Sequence, residues 1–167
     1  MRKVIVIATA TAAAAALAVA NFATATSTTK TETFTAITTN PGSGVASLIA
    51  TGGFTAGGTD VIDKKHMETF HFANGKFTLV IGKPGSKHVS LNPTTCLYTK
   101  TASGTYTLAD GTGAYNGISG SGKVRAILRA TYPLVNGKCP SNDQPGGSGT
   151  WTAIQFTETA SGPVSLP

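Results

Sequence analysis

The chain has 167 residues, of which 40% are apolar and 12% charged, with 13 Lys and Arg against 7 Asp and Glu for a formal net charge of +6. Its bases beyond residue 25 are spread out, with no run of five or more and no interleaving with aromatics, which argues against a nucleic-acid partner. Solvated surface lysines account for them, with weak adhesion to acidic cell-wall polymer or lipid surfaces as the alternative.

The N-terminus reads as an export signal. Met1-Arg2-Lys3 supplies a positive start, and Val4 to Ala20 an uncharged run ending in an alanine tract. Its Ala and Thr residues drive membrane insertion weakly, so a cleaved signal is expected rather than an anchor. Small residues at the last and third-last positions allow a cut after Ala25 (Ala23-Thr24-Ala25) or after Ala20 (Ala18-Val19-Ala20), and the first is preferred. Neither site is followed by a cysteine for lipid attachment. Losing Arg2 and Lys3 lowers the net charge from +6 to +4. The expectation is a secreted protein with no stable membrane insertion after cleavage.

The division expected is a signal peptide over 1–25, a flexible lead-in and first strand over 26–44, and one β-domain over 45–167. Short apolar or Thr-rich runs are punctuated by Asn40-Pro41-Gly42, Gly57-Gly58, Asn74-Gly75, Lys83-Pro84-Gly85, Asn92-Pro93, Asp110-Gly111, Asn136-Gly137 and Pro145-Gly146-Gly147, the spacing of antiparallel strands and hairpins. No stretch after residue 25 keeps a helical period without a Gly or Pro interrupting it. Runs near 32–38, 45–51, 59–63, 66–73, 76–82, 94–100, 104–109, 123–132 and 150–159 give eight or nine strands. The fold class expected is all-β, a single closed antiparallel barrel of about eight strands, with a two-sheet sandwich using the same pattern.

Alternation assigns faces. Phe70 and Phe72 share one side of their strand, Phe77, Leu79 and Ile81 one side of the next, and Val124, Ala126, Leu128 and Ala130 the inward side of a strand whose other side carries Arg125 and Arg129. Cys96 and Cys139 are the two cysteines. An even count in a small exported domain reads as a disulfide, worth about 4 kcal/mol through restriction of the unfolded chain. No histidine at ligand spacing flanks either one, which argues against a thiol metal site.

Three segments suggest a family: Ala50-Thr51-Gly52-Gly53-Phe54-Thr55-Ala56-Gly57-Gly58, the hairpin Phe70 to Phe77, and Tyr106 to Gly122 with its Gly-Thr-Gly-Ala-Tyr-Asn-Gly-Ile-Ser-Gly-Ser-Gly turn. In these the chain resembles exported bacterial proteins with an allene oxide cyclase-like, or dirigent-like, β-barrel, over roughly residues 45–165. The shared motifs are glycine turns, so the resemblance implies a backbone shape before it implies chemistry. It implies a barrel whose active relatives hold an apolar substrate inside while it cyclises or couples. None of their catalytic residues maps onto this chain position by position.

The same glycine segment holds a misleading motif. Gly117 to Lys123 fits the phosphate-cradling G-x-x-x-x-G-K pattern, but Val124 stands where a Ser or Thr must hold magnesium, and the following residues alternate as a strand instead of opening a helix. Nucleotide binding is excluded on those grounds, and the glycines are read as a tight bulged corner. His66, Glu68, His71 and His88 form the other constellation. His66 and Glu68 share one strand parity, while His71 takes the other, so three ligands cannot converge; no metal and no cofactor is expected. No G-x-S-x-G elbow is present, and the carboxylates are too scattered to mark a glycosidase pair.

Two functional readings follow. One is a secreted barrel binding a small apolar ligand, or acting at the cell surface, with a cavity lined by Phe54, Phe70, Phe72, Phe77, Leu79, Tyr106, Leu108, Leu128 and Phe156. The other is a cyclase or isomerase using that cavity with Glu68, His66 or Tyr106 as acid or base. A third possibility is a filled barrel that acts only through its surface. Oligomeric state is not legible.

Overall fold

The computed structural model describes residues 28–64, 66–139 and 151–166. The expected signal peptide and its cleavage sites therefore lie outside the described residues. Nine strands run in chain order: β1 (Thr29–Thr38), β2 (Val45–Gly52), β3 (Ala56–Lys64), β4 (Met67–Phe72), β5 (Gly75–Ile81), β6 (Lys87–Leu91), β7 (Leu97–Ala109), β8 (Ser119–Thr131) and β9 (Ala153–Ser165). The helical content described is two single turns of 3-10 helix, Pro41–Ser43 and Gly113–Tyr115.

The strands pair antiparallel in the order β5-β4-β3-β2-β1-β9-β8-β7, and β5 then pairs with β7 over Thr78–Ile81 against Tyr106–Ala109. That pairing closes an eight-stranded barrel, removes its free edges and excludes the sandwich. β6 lies outside, on the early half of β7. β7 is a single 13-residue strand where two had been expected, because Ser103-Gly104 continues the ladder to β8. β6 was not foreseen at all; it is five residues between prolines and almost wholly exposed, so it carries no alternation to read. The barrel also begins earlier than residue 45, since β1 pairs along its length with both β2 and β9.

Side chains at alternate positions fill the interior. Phe34, Phe70 and Phe77 form its centre, with ring centroids 5.3–5.6 Å apart in tilted and edge-on arrangements. One end, here the lower, is stoppered. Asp110 to Ile118 brings Tyr115 back over the rings of Phe54, Phe72 and Phe77 at 5.5, 5.3 and 5.2 Å. The glycine turn behind the family resemblance is thus the barrel's plug.

Two inward positions must be glycine for a steric reason. A Cβ on Gly122 would stand 2.8 Å from the Tyr106 ring, and one on Gly162 would stand 2.7 Å from the Gly122 backbone. Their bare backbone makes room for Tyr106 to lie across the wall.

At the upper end β7, β8 and β9 outrun the barrel. Tyr98, Tyr132 and Trp151 cluster there, the last two stacked at 4.3 Å. Cys96, at the start of β7, is disulfide-bonded to Cys139, beyond β8, with 5.2 Å between Cα atoms. The bond ties the loop after β8 to the β6–β7 turn. It is compatible with an extracellular protein. Among the described residues no helix is long and apolar enough to cross a membrane.

Candidate functional site

The upper mouth is open, and a pocket of about 300 Å³ lies in it. Its walls are apolar: Val45, Ala46 and Ile62 from β2 and β3 face Ala102, Ala126, Leu128 and Phe156 from β7, β8 and β9. Small side chains make the space, since alanine occupies inward positions that phenylalanine and leucine fill lower down. Val45 and Ile62 are 43% and 46% exposed, so the rim is itself apolar. Lys100 is the one cation among the described lining residues. A second cavity, of about 140 Å³, shares the walls Ala102 and Ala126 and reaches Glu158.

The interior beside this mouth holds carboxyl groups. Glu68, Glu158 and Asp60 are 4%, 4% and 1% exposed, and each lies on the inward parity of its strand. Burial pushes the Glu68 carboxyl up to about 9, and the charge of Glu158 and a hydrogen bond to it act in the same direction. Glu158 is also raised by burial; its bond from Glu68 opposes the shift, and the charge of Asp60 adds to it. Both carboxyls are thus biased toward their protonated forms, and a hydrogen bond joins them. Each keeps one oxygen without a hydrogen-bond partner, Oε2 of Glu68 and Oε1 of Glu158. Two hydrogen-bonded buried carboxyls with raised pKa values can give and take a proton at adjacent positions.

A separate carboxyl, Glu32, is 1% exposed at the lower end. Burial raises its pKa, partly offset by backbone N–H donors, among them Phe54 N at 3.0 Å. Tyr106 and Tyr115 are raised by burial and then by the charge of Glu32.

The expected site residues are distributed as follows. Glu68 is inside the barrel. His66 is not beside it; it sits exposed in the β3–β4 turn at φ 71°, so the shared parity is broken before β4 begins. Tyr106 is buried, but its electrostatic neighbour is Glu32, which separates it from the Glu68 pair. His71 pairs with Thr59 and Lys76 on the parity opposite Phe70, and His88 is exposed on β6. Of the expected cavity residues, Leu128 and Phe156 line the mouth pocket. Phe70, Phe72, Phe77, Leu79 and Leu108 instead pack the barrel core, and Phe54 lines a small recess at the lower end with Glu32. Phe70, Phe72 and Phe77 pack ring to ring with each other and with Phe34.

Glu158 and Asp60 were missed as site residues. Their signal was parity: Glu158 alternates with Phe156 and Ala160, and Asp60 with Gly58, so each carboxylate stands on an inward face. Among the described residues no group of three or more His, Cys, Asp or Glu is placed to hold a metal ion.

The fold and site define a closed antiparallel barrel, plugged at one end and open through an apolar mouth over buried carboxyls. No protein-family model matches the sequence, and no curated protein and no solved structure shows significant similarity to it.

Proposed function

We propose that the protein is exported and binds a small, largely apolar molecule in the upper mouth of its barrel. The observation that carries this reading is the pocket of about 300 Å³ with its Val45, Ile62, Ala126, Leu128 and Phe156 walls and apolar rim. Pockets of this size and lining suit ligands that bury most of their surface. Lys100 on the wall favours a ligand with an acidic end. Export rests on the signal-like residues 1–25 and agrees with the disulfide. The resemblance to allene oxide cyclase-like exported barrels supports the same reading, since its active members hold apolar substrates inside.

The Glu68–Glu158 pair favours a second reading, acid–base isomerisation of that ligand. Glu158 borders the cavity adjoining the mouth, so a substrate proton taken by Glu158 can be returned by it at a second position, with Glu68 hydrogen-bonded behind it. The net change is a proton shift within the substrate, and no other reactant is consumed.

Native followed by denaturing mass spectrometry of protein recovered from its host's medium tests the first reading. The expected result is a chain beginning at Thr26, two hydrogens lighter than the reduced form, with a small molecule released on denaturation. A chain retained in the cell with residues 1–25 intact contradicts export.

A further inference from the structure

The buried carboxyls and the cations of β8 lie on opposite sides of the barrel wall. Glu32, Asp60, Glu68 and Glu158 all point inward, whereas Lys83, Lys123, Arg125 and Arg129 lie on the outer wall. Asp110, an exposed carboxylate, sits at the lower end beyond β7. The outer wall along β8 is thus cationic, with the buried carboxyls on the other side of the sheet.

The cations are ordered. On β8, Lys123, Arg125 and Arg129 share the outward parity, so Lys123 and Arg125 stand roughly 6.8 Å apart along the strand and Arg129 two such steps further on. The register brackets each one with hydrogen-bonding side chains. Lys123 lies between Thr105 and Ser161, Arg125 between Ser103 and Thr159, and Arg129 between Thr99 and Gln155. Around the first two cations the wall forms a trough of about 720 Å³, with Lys83 of the β5–β6 connection contributing to its lining. Among the described residues its lining has no carboxylate and no aromatic ring.

We infer that this outer trough on β7, β8 and β9 binds a linear phosphodiester-linked polyol polymer. Phosphate groups seat on Lys123, Arg125 and Lys83, with the flanking Ser and Thr hydroxyls donating to phosphate oxygens and accepting from polyol hydroxyls. The lack of aromatics disfavours single-stranded nucleic acid, whose bases need stacking platforms. The polar flanks disfavour a lipid surface, which calls for apolar anchors beside the bases. This inference is independent of the mouth pocket, which opens inside the barrel.

The test uses the full protein and synthetic poly(glycerol phosphate), with binding followed over a salt series. Three cations engaged by a flexible polyanion give a slope of about −2 in log affinity against log salt, by analogy with single-stranded nucleic acid. The variant Lys123→Gln/Arg125→Gln is expected to bind at least tenfold more weakly with a shallower slope, whereas Lys30→Gln/Lys76→Gln, which removes the same charge elsewhere, keeps its affinity. Thr159→Val, which leaves the charge untouched, is expected to weaken binding about threefold. Circular dichroism establishes that each variant is folded. Equal loss in the two charge variants, equal or tighter binding of single-stranded DNA, sulfated glycan or anionic vesicles, or no binding to the polymer at low salt would each overturn the inference.

Discussion

Glu68 of β4 and Glu158 of β9 are hydrogen-bonded to each other inside the barrel, and burial raises both carboxyls. They are far apart in sequence, and neither is adjacent to a basic side chain in the sequence. Their juxtaposition exists only because the sheet closes.

Closure makes stability depend on pH in an unusual direction. The folded pKa of Glu68 is about 9 against an ordinary 4.5, so between those values the folded state binds more protons than the unfolded one. Stability from this group is complete below the unfolded pKa and is lost as pH rises through the folded pKa. Urea midpoints are expected to fall from pH 5 to pH 9, by a free energy on the order of a few kcal/mol. Glu68→Gln, which replaces the protonated acid by a neutral amide, is expected to flatten that profile while preserving the fold. A midpoint that rises over this window would contradict the assignment of the proton.

The disulfide closes 43 residues of chain. Cys96→Ala/Cys139→Ala is expected to cost about 4 kcal/mol, mainly through the freed unfolded chain. Chemical denaturation of the variant beside the wild type measures this. The barrel strands should remain, because both cysteines lie beyond its upper rim and the variant leaves the Phe34–Phe70–Phe77 centre intact.

Tyr115 stoppers the lower end and touches three phenylalanine rings. Tyr115→Ala is expected to cost about 3–5 kcal/mol, as for other large-to-small changes among packed aromatics. Hydrogen exchange should also quicken at Ala114, whose N–H donates to Asn74 O of the β4–β5 turn at 2.8 Å. An unchanged denaturation midpoint would show the plug to be dispensable.

Gly122→Ala tests the room made for Tyr106. The added methyl meets both the ring and the opposing backbone of β9, so a loss of about 1–3 kcal/mol is expected from thermal unfolding. Adding Tyr106→Phe should not relieve it, since the clash is with the ring and not the hydroxyl.

The sequence made the barrel legible because alternation and turn residues are local signals. Phe70, Phe72, Phe77 and Leu79 were placed on inward faces by parity alone, and the Asn74-Gly75 hairpin by its turn chemistry. β6 was illegible because Lys87–Leu91 is exposed on both faces. The site was legible only in part. Glu68 stood out among histidines, yet His66 leaves the strand through a positive φ that no alternation rule anticipates. Glu158 shares the inward parity of Phe156 and Ala160 in a Thr-rich strand, but only the closing of the sheet brings it to Glu68. The aromatic residues expected to line a cavity pack against one another instead, because parity says which side chains face inward but not whether they meet.

The proposed apolar ligand sits in the upper mouth, between the walls of β2, β3, β7, β8 and β9. The most direct test is equilibrium titration with an environment-sensitive fluorescent fatty acid, comparing the wild type with Ala126→Phe, whose ring would occupy the space between Ala102 and Phe156. Saturable one-to-one binding by the wild type, reduced at least tenfold in a folded Ala126→Phe variant, is the predicted result. Equal binding by both proteins, or no binding by either, would contradict it.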